Sequence, residues 1–242
     1  MSDLNDVRFF ATAPHDCSYL SDEIATTLFA DPDVQIEQED YQTLTLLGFR
    51  RSGKYFYRPQ CKQCQACISV RIPIAEFRWT RRFKKTLKAN QGITAEWQLP
   101  YIDDEIYDLY SRYIDIRHPN GDMHPPSKEQ FKTFLMVEGP YTRFLCFRDE
   151  AGTLIAVAVI DVLQRHGLSA IYTFFEPDQS KRSLGRLAIL AQVLEAERLQ
   201  LPYVYLGYWI QACEKMNYKT DYQPLEFLVG RVWTRNIPQQ LD

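Results

Sequence analysis

The sequence has no apolar run that approaches the roughly eighteen residues needed to cross a membrane. Its start, MSDLNDVRFF, lacks the positively charged region and the apolar run of a signal peptide. Repeats and low-complexity segments are also absent. The net charge is only −3 for 242 residues, so no field of one sign covers the molecule. We therefore predict a cytoplasmic globular protein without a membrane partner, in which any basic surface for nucleic acid is local.

Cysteine is scarce, with six residues in the chain, and half of them lie in one short segment. Cys61, Cys64 and Cys67 form a C-x₂-C-x₂-C pattern, whose thiolates converge in zinc and iron–sulfur sites when the chain turns tightly. Three ligands leave a tetrahedral site one short, and Cys17 is the candidate fourth ligand. We predict a bound zinc ion or iron–sulfur cluster here, with a metal-free turn as the open alternative.

Hydrophobic periodicity and turn signals predict an α+β protein with two domains, residues 1–100 and 101–242. In the first domain we predict a helix from Ser21 to about Ala30, because a serine followed by two acidic residues is a favourable helix start. The predicted strands of this domain are 41–49, 54–57 and 70–74.

The second domain is predicted to contain a mixed sheet with helices on both faces. Its predicted helices are 103–117, 128–137 and 183–199, and its predicted strands are 143–148, 154–163, 168–175 and 203–208. The order helix, helix, strand, strand, strand, helix, strand is the pattern of the N-acetyltransferase fold. We therefore expect a small cysteine-containing N-terminal domain followed by an N-acetyltransferase-like C-terminal domain.

A basic run extends from Arg78 to Lys88, with Arg71 just upstream of it. Basic residues neutralise phosphates, and the interleaved Trp79 and Phe83 are of a type that stacks on unpaired bases. Because the net charge of the protein is negative, this local concentration of cations favours an RNA-binding segment. A solvated helix face is the open alternative.

A second cationic turn, Ser180 to Arg186, opens the helix predicted at 183–199. Free N–H groups at a helix start favour an anion. Arg182 and Gly185 fit the first positions of the pattern that binds the coenzyme A pyrophosphate in acetyltransferases, but Leu187 replaces its final small residue. A bulky residue there favours another phosphate donor, the 3′ end of a charged tRNA. Simple helix capping by Ser183 is the alternative.

Four segments of the chain resemble one enzyme family. They are YRPQCKQCQACISVRI (57–72), RHPNGDM (117–123), IYTFFEPDQSKRSLG (171–185) and YVYLGYWIQACEKMNYKTDYQPLE (203–226). Together they resemble the aminoacyl-tRNA–protein transferases, in particular the bacterial aspartate/glutamate leucyltransferases. The resemblance implies transfer of leucine from Leu-tRNA to proteins that begin with Asp or Glu, which marks them for degradation by the N-end rule (N-degron) pathway. It also implies that the transfer needs no cofactor.

The candidate catalytic groups are donors for a developing oxyanion. They are the backbone N–H around Gly207 and the hydroxyls of Tyr172, Tyr208 and Tyr218. No Ser–His–Asp or Cys–His arrangement is visible, which predicts direct transfer without a covalent intermediate. Cys213 is the alternative nucleophile.

The candidate substrate-binding residues follow from the two substrates. An acidic acceptor side chain needs a cation, and the candidates are Lys219, Arg182, Lys215 and Arg117. The donor leucine needs an apolar pocket, for which the candidates are Phe174, Phe175, Trp209 and Met216. The candidate tRNA-binding residues are Arg81, Arg82, Lys84, Lys85, Lys181, Ser183, Gly185 and Arg186.

Three other functions stay open at this point. The donor amino acid is arginine in an arginyl-tRNA–protein transferase, and the residues alone do not distinguish it from leucine. The fold pattern also suits an acetyl-CoA-dependent N-acetyltransferase, which Leu187 disfavours. Finally, the cysteines and the basic run suit a tRNA-binding or metal-sensing module without enzymatic activity.

Overall fold

The computed structural model describes residues 7–137 and 139–238. The first six residues, part of the start predicted to lack a signal peptide, lie outside this range. In the part of the chain that is described, no helix is both long enough and apolar enough to span a membrane.

Strands and helices alternate irregularly along the chain. The strands are β1 (Phe9–Ala11), β2 (His15–Asp16), β3 (Ile24–Ala25), β4 (Thr27–Ala30), β5 (Arg50–Ser52), β6 (Tyr55–Pro59), β7 (Ile68–Pro73), β8 (Thr94–Gln98), β9 (Thr142–Arg148), β10 (Leu154–Leu163), β11 (Gly167–Phe175), β12 (Tyr203–Trp209), β13 (Glu226–Val229) and β14 (Val232–Thr234). The helices are α1 (Gln38–Leu46), α2 (Arg81–Lys88), α3 (Asp104–Arg117), α4 (Lys128–Leu135), α5 (Leu184–Arg198) and α6 (Glu214–Asn217). This composition confirms the predicted α+β class.

The described residues form two compact units. The first unit takes its residues from Met1–Arg78 and Tyr203–Asp242, and the second unit is Trp79–Pro202. This division differs from the predicted domains 1–100 and 101–242. The reason is that β12 pairs antiparallel with β7, from Tyr203 opposite Pro73 to Trp209 opposite Ile68, which joins the end of the chain to its N-terminal part.

The first unit contains two sets of paired strands and a small β2–β3 ribbon. One set has the order β1-β4-β6-β5, and the other has the order β14-β13-β7-β12. All pairs within these sets are antiparallel. Strand β7 is buried along its whole length, as expected for a strand with a neighbour on each side.

The second unit contains β8, β9, β10 and β11, each paired antiparallel with the next. Its core joins α3 and α4 to these strands through fully buried side chains such as Tyr110, Phe131, Phe144 and Phe174. Helix α5 packs against β10, β11 and α2.

The long, strongly periodic elements agree with their predictions. Helix α3 starts where Asp103 accepts a 2.8 Å hydrogen bond from the Ile106 N–H, which is a normal N-cap. Strand β10 has the predicted bounds, β11 and β12 are each one residue longer than predicted at one end, and α5 is one residue shorter than predicted at each end.

Two N-terminal predictions are wrong. The predicted helix at 21–30 is instead β3 and β4, because β4 pairs with both β1 and β6 and this pairing outweighs the local capping signal. The predicted strand at 41–49 is instead mostly α1. Its buried residues Tyr41, Leu44 and Thr45 have the i, i+3, i+4 spacing of one helix face.

Candidate functional site

A β-bulge in β12 shapes the centre of the first unit. The register of β12 against β7 shifts between Tyr205 and Gly207, and Gly207 has φ of +81°. Side chains other than glycine are strained in that conformation. A Cβ at Gly207 would also lie 3.4 Å from Nε of Arg50. Glycine is therefore favoured by the backbone conformation, and the Arg50 guanidinium packs against it at van der Waals distance.

Tyr208 follows the bulge, and its hydroxyl is used for hydrogen bonds within the fold. Its buried hydroxyl lies 2.9 Å from the carbonyl oxygen of Gly48 and 3.2 Å from that of Tyr57. A hydroxyl has one hydrogen to donate, and here two backbone carbonyls share it. Tyr208 therefore positions β12 against the neighbouring strands, and its hydroxyl is not available as an oxyanion donor.

Lys219 is buried, with only 4% of its surface exposed. Its ammonium donates to the carbonyl oxygen of Tyr208 at 2.6 Å and lies 3.0 Å from Sδ of Met216. Neither acceptor carries a charge, and within the described residues Lys219 makes no ion pair. Burial, and then the positive charge of Arg50, lower the pKa of Lys219 to about 7, against the opposing influence of the Cys213 and Cys67 thiols.

The other predicted residues near Lys219 have different environments. Trp209 is buried against Phe227, with ring centroids 5.3 Å apart, so it belongs to the core and does not line a leucine pocket. Lys215 is exposed on α6. Tyr218 is 44% exposed, and its ring centroid lies 5.2 Å from Nζ of Lys219. The ring of Tyr218 thus lies beside the buried ammonium on a residue that is partly exposed.

The predicted metal ligands are all reduced and half-buried. Burial, followed by the charges of Cys17, Cys61 and Cys64, raises the pKa of Cys67 to about 12, so the four thiols are near one another. Cys213 acts on Cys67 as well. Among residues 7–137 and 139–238, however, no group of three or more histidine, cysteine, aspartate or glutamate side chains is placed to hold a metal ion. The thiols are gathered but do not converge to coordination distances.

The second unit brings the two cationic segments together. The basic run forms α2, on which Arg81, Lys84 and Lys85 are exposed. Asn90 ends this segment, and its side-chain amide donates to the carbonyl oxygens of Thr86 at 2.8 Å and of Arg182 at 2.9 Å. The end of α2 is therefore hydrogen-bonded to the turn that opens α5, which holds the two cationic segments next to each other.

Two residues of the predicted RNA-binding segment have other roles. Phe83 is 1% exposed and packs inward from α2, so it does not stack on a base. Arg71 is buried in β7, where its Nε lies 2.8 Å from a carboxylate oxygen of Glu226. The sequence predicted that Phe83 stacks on a base and that Arg71 neutralises phosphate only because both residues lie close to the other cations in the chain.

Gly185, at the start of α5, packs closely against Phe175. A Cβ on Gly185 would lie 3.2 Å from the Phe175 ring, so a larger residue would require the ring to shift slightly. Ser183 has φ of +54° and makes no side-chain cap, so the alternative of simple capping is wrong. Leu187 is buried in the core. Lys181 is exposed, while Arg182 and Arg186 are half-buried at this turn.

The remaining candidates in the second unit lie on β11 and at the end of α3. Phe174 is fully buried against Tyr110 and Phe131, so it does not line a substrate pocket. The hydroxyl of Tyr172 is buried without a hydrogen-bond partner among the described residues, and burial raises the pKa of Tyr172. Arg117 is exposed at the end of α3.

The position of Arg50 beside Gly207 was not predicted from the sequence. It stands in a short hairpin of the sequence RRSG, where arginines are usually solvated. In the structure it is only 8% exposed and lies against Gly207. The one signal in the sequence was the glycine inside an aromatic strand, which marks a bulge or a close approach by another group.

Comparisons with known proteins agree on one family. The chain matches the family models described as arginine-tRNA-protein transferase, N terminus, over residues 15–85, and C terminus, over residues 105–229. It is 51% identical to the aspartate/glutamate leucyltransferase of Pseudomonas fluorescens (strain Pf0-1), over 96% of this chain and 98% of that protein. The protein of the same name from Pseudomonas aeruginosa (strain LESB58) is 52% identical with the same coverage. The solved structure of L-PGS from Bacillus licheniformis aligns with a TM-score of 0.47 and 13% identity, over 86% of this chain and 70% of that one.

Proposed function

The chain belongs to the aminoacyl-tRNA–protein transferase family, and we propose that it transfers leucine from Leu-tRNA to the N-terminal Asp or Glu of proteins. The acceptor's α-amine displaces the tRNA from the leucyl ester, and the product carries an added N-terminal leucine. Such an addition in the cytoplasm marks the protein for degradation by the N-end rule pathway. Relatives at about half identity carry the leucyltransferase name, which favours leucine over the alternative donor arginine.

The observation that carries this proposal is the buried ammonium of Lys219. A charged group in the interior is normally paired, because burying it alone is costly. Lys219 has only a carbonyl and a thioether as partners. An acidic side chain at the start of the acceptor supplies the missing charge, while a neutral one does not. The position of Lys219 thus supports selection of Asp and Glu.

The basic surface of the second unit supports binding of the donor. Helix α2 presents exposed cations along one side, and the turn before α5 adds Lys181, Arg182 and Arg186. These cations neutralise phosphates without reading sequence, as a protein that grips a tRNA end requires. Because Asn90 fastens the two segments together, they offer one continuous binding surface.

The transfer reaction requires little from the protein beyond orienting the two substrates. The ester is already activated, and an α-amine with a pKa near 8 is roughly a tenth free base at pH 7. Holding the amine in line with the ester is worth ~7–11 kcal/mol. The developing oxyanion needs donors, for which the backbone N–H of Gly207 and the hydroxyl of Tyr218 are our candidates in the first unit. In the second unit the buried hydroxyl of Tyr172, which has no partner in the described chain, is a separate candidate.

We also propose that Cys17, Cys61, Cys64 and Cys67 hold a zinc ion or an iron–sulfur cluster. The C-x₂-C-x₂-C spacing and the nearness of Cys17 to Cys67 support it, since thiolates that repel one another are stabilised by a bound cation. Elemental and sulfide analysis of anaerobically purified protein tests this proposal. Protein that contains neither metal nor sulfide, with all four thiols freely titratable, contradicts it.

The transfer itself is tested with purified protein, radiolabelled Leu-tRNA and short peptides that differ only in the first residue. We expect label in peptides that begin with Asp or Glu and little in those that begin with Asn or Gln. Arg-tRNA and acetyl-CoA serve as donors in parallel reactions. Label transferred from either of them, but not from Leu-tRNA, contradicts the proposed donor.

A further inference from the structure

We propose that Met216 is an oxidation site that regulates the acceptor site, because the oxygen of its sulfoxide accepts a hydrogen bond from the ammonium of Lys219 and excludes acidic acceptors. This inference rests on the proposed function and deepens it, because it gives the acceptor site a means of control.

The side chain of Met216 contacts the buried ammonium of Lys219. Helix α6 continues directly into a 3₁₀ helix at Tyr218–Asp221, so these two residues are about one helical turn apart. Side chains three residues apart in such a segment lie on the same face. Accordingly, Nζ of Lys219 lies 3.0 Å from Sδ of Met216. Met216 is half-buried, and its neighbours Lys215 and Asn217 are exposed, so a small oxidant in solution can reach this segment.

The thioether is a poor partner for a cation. A thioether sulfur is only a weak acceptor, whereas an ammonium has three hydrogens to donate. The one other acceptor of Lys219 in the described chain is the carbonyl oxygen of Tyr208, at 2.6 Å. Methionine is also unbranched and flexible, so it moves aside easily. The ammonium is therefore open to a better acceptor, which either arrives with a substrate or is formed on the sulfur itself.

Oxidation forms such an acceptor on the sulfur. Hydrogen peroxide transfers one oxygen atom to Sδ: the O–O bond breaks, an S–O bond forms, the sulfur loses two electrons and the peroxide is reduced to water. The new oxygen is attached to an atom that already lies 3.0 Å from Nζ of Lys219. Because it belongs to the same chain, its effective concentration beside the ammonium is far above that of a peptide in solution. The oxidised residue therefore competes with the acceptor's carboxylate.

Met123 and Met136 are matched controls. Both are half-buried, and both pack against the core of the second unit. Neither thioether accepts a hydrogen bond within the described residues, in contrast to that of Met216. Their oxidation therefore reports the general damage that peroxide causes, without adding an acceptor beside Lys219.

The experiment measures kcat/KM for an Asp-initiated and an Asn-initiated peptide before and after treatment with hydrogen peroxide. It uses the native enzyme, Met216→Leu and the double variant Met123→Leu/Met136→Leu. Each protein is treated with dithiothreitol before the assay, so that reversibly oxidised cysteines are reduced, and mass spectrometry measures sulfoxide at each methionine.

We expect the native enzyme and the double variant to lose about thirtyfold or more with the Asp peptide and little with the Asn peptide, since the ammonium is no longer available to the carboxylate. Met216→Leu should keep, after peroxide, the Asp value that it has before peroxide. A methionine sulfoxide reductase should restore the oxidised native enzyme.

Three results overturn the inference. The first is a loss of the same factor with both peptides, and the second is a loss in Met216→Leu equal to that of the native enzyme, because each would originate elsewhere, for example at the thiols. The third is a native enzyme that keeps its Asp value, either with Met216 converted to sulfoxide or because Met216 resists peroxide while Met123 and Met136 are oxidised.

If the native enzyme transfers no leucine to either peptide, the proposed function fails, and the contact with Lys219 is tested by stability instead. Met216→Gln supplies a carboxamide oxygen on a side chain of similar length, whereas Met216→Leu has no acceptor. We expect a higher melting temperature for Met216→Gln than for Met216→Leu, and no such difference when Lys219→Met is added to both. An equal difference in both backgrounds, or none in either, rejects an oxygen at residue 216 as a partner of Lys219.

Discussion

Arg71 and Lys219 are both buried cations of the first unit, and they differ in what surrounds the charge. Arg71 forms a 2.8 Å ion pair with Glu226, and its guanidinium carbon lies 3.6 Å from the ring centroid of Tyr203 and 4.2 Å from that of Trp233. Lys219 has a backbone carbonyl and a thioether, and a second cation, Arg50, lies nearby.

The difference separates a cation whose charge is balanced within the fold from one whose charge is not. The charge of Arg71 is balanced within the fold, so it fastens β7, β12, β13 and β14 to one another. The charge of Lys219 is not balanced by any carboxylate in the described chain, so its burial costs stability until an anion arrives. Proteins retain such destabilised groups where binding requires them.

Substitution of Arg71 should produce the largest loss of stability. In Arg71→Met the half-buried Glu226 carboxylate loses its 2.8 Å partner and keeps only Arg235, whose Nε lies 3.9 Å from its other oxygen. We therefore expect a fall in the free energy of unfolding towards the lower end of the roughly 3–5 kcal/mol typical of a broken buried ion pair. Urea denaturation measures this change. Adding Glu226→Leu should restore part of the loss, because it removes the weakly paired charge. A change below about 1 kcal/mol in the single variant would show that the pair is dispensable.

Lys219→Met should change the stability in the opposite direction and make the protein more stable. Methionine fills the same space without a charge, so we expect the free energy of unfolding at pH 7 to rise by roughly 1–3 kcal/mol after loss of the hydrogen bond to Tyr208. Transfer to Asp peptides should fall about thirtyfold or more in the same variant. A variant that is both less stable and equally impaired with Asp and Asn peptides would place Lys219 among the structural cations.

The stabilisation by Lys219→Met should depend on pH. The folded pKa of about 7 lies below the ordinary value of 10.5, so burial of the charged form costs most below pH 7. Between these two values the unfolded chain binds the extra proton, and the cost declines as pH rises. The extra stability of the Lys219→Met variant should therefore shrink from pH 7 towards pH 10. Besides burial, Arg50, Cys213 and Cys67 are the groups that shift the pKa of Lys219. An advantage independent of pH would mean that packing alone causes it.

The cations of α2 are exposed, in contrast to Arg71 and Lys219. Their substitution should therefore change stability least. Replacing Arg81, Arg82, Lys84 and Lys85 by alanine should leave the free energy of unfolding within about 0.5 kcal/mol of native. It should weaken tRNA binding and reduce the slope of log affinity against log salt by about one for each phosphate that the protein no longer neutralises. Filter binding across a salt series measures the slope, with exposed Lys54→Ala as control. An unchanged slope would show that α2 is only a solvated face.

Much of the second unit was predictable because its signals are long and local. The apolar run of β10 and the periodicity of α3 and α5 each extend over enough residues to exclude the other structure type. The N-terminal elements are short, and pairing with strands elsewhere in the chain decided whether they are helix or strand. Thr27–Ala30 became a strand between β1 and β6, although Ser21 and its acidic neighbours favour a helix start.

The sequence predicted which kinds of chemical group the candidate site contains, but only some of the residues that lie there. The segment from Tyr203 to Glu226 identified Gly207 and Lys219, because a glycine after aromatic strand residues and a nearby lysine are visible in sequence. Tyr208 and Trp209 have side-chain types that suit a substrate site, but their side chains are used by the fold. A residue type shows which interactions its side chain can make, but not which of them are already used within the folded protein.

The sequence by itself determined the family, the cysteine spacing and the presence of cations in several segments, since these depend on residue identity and order alone. Only the tertiary structure decided which cations are balanced. Whether a buried charge has a partner depends on distances between residues far apart in the chain, such as Arg71 and Glu226. Coulomb energy and desolvation act through space, so the charges of Arg71 and Lys219 came to differ only when the segments that carry them came together in the first unit.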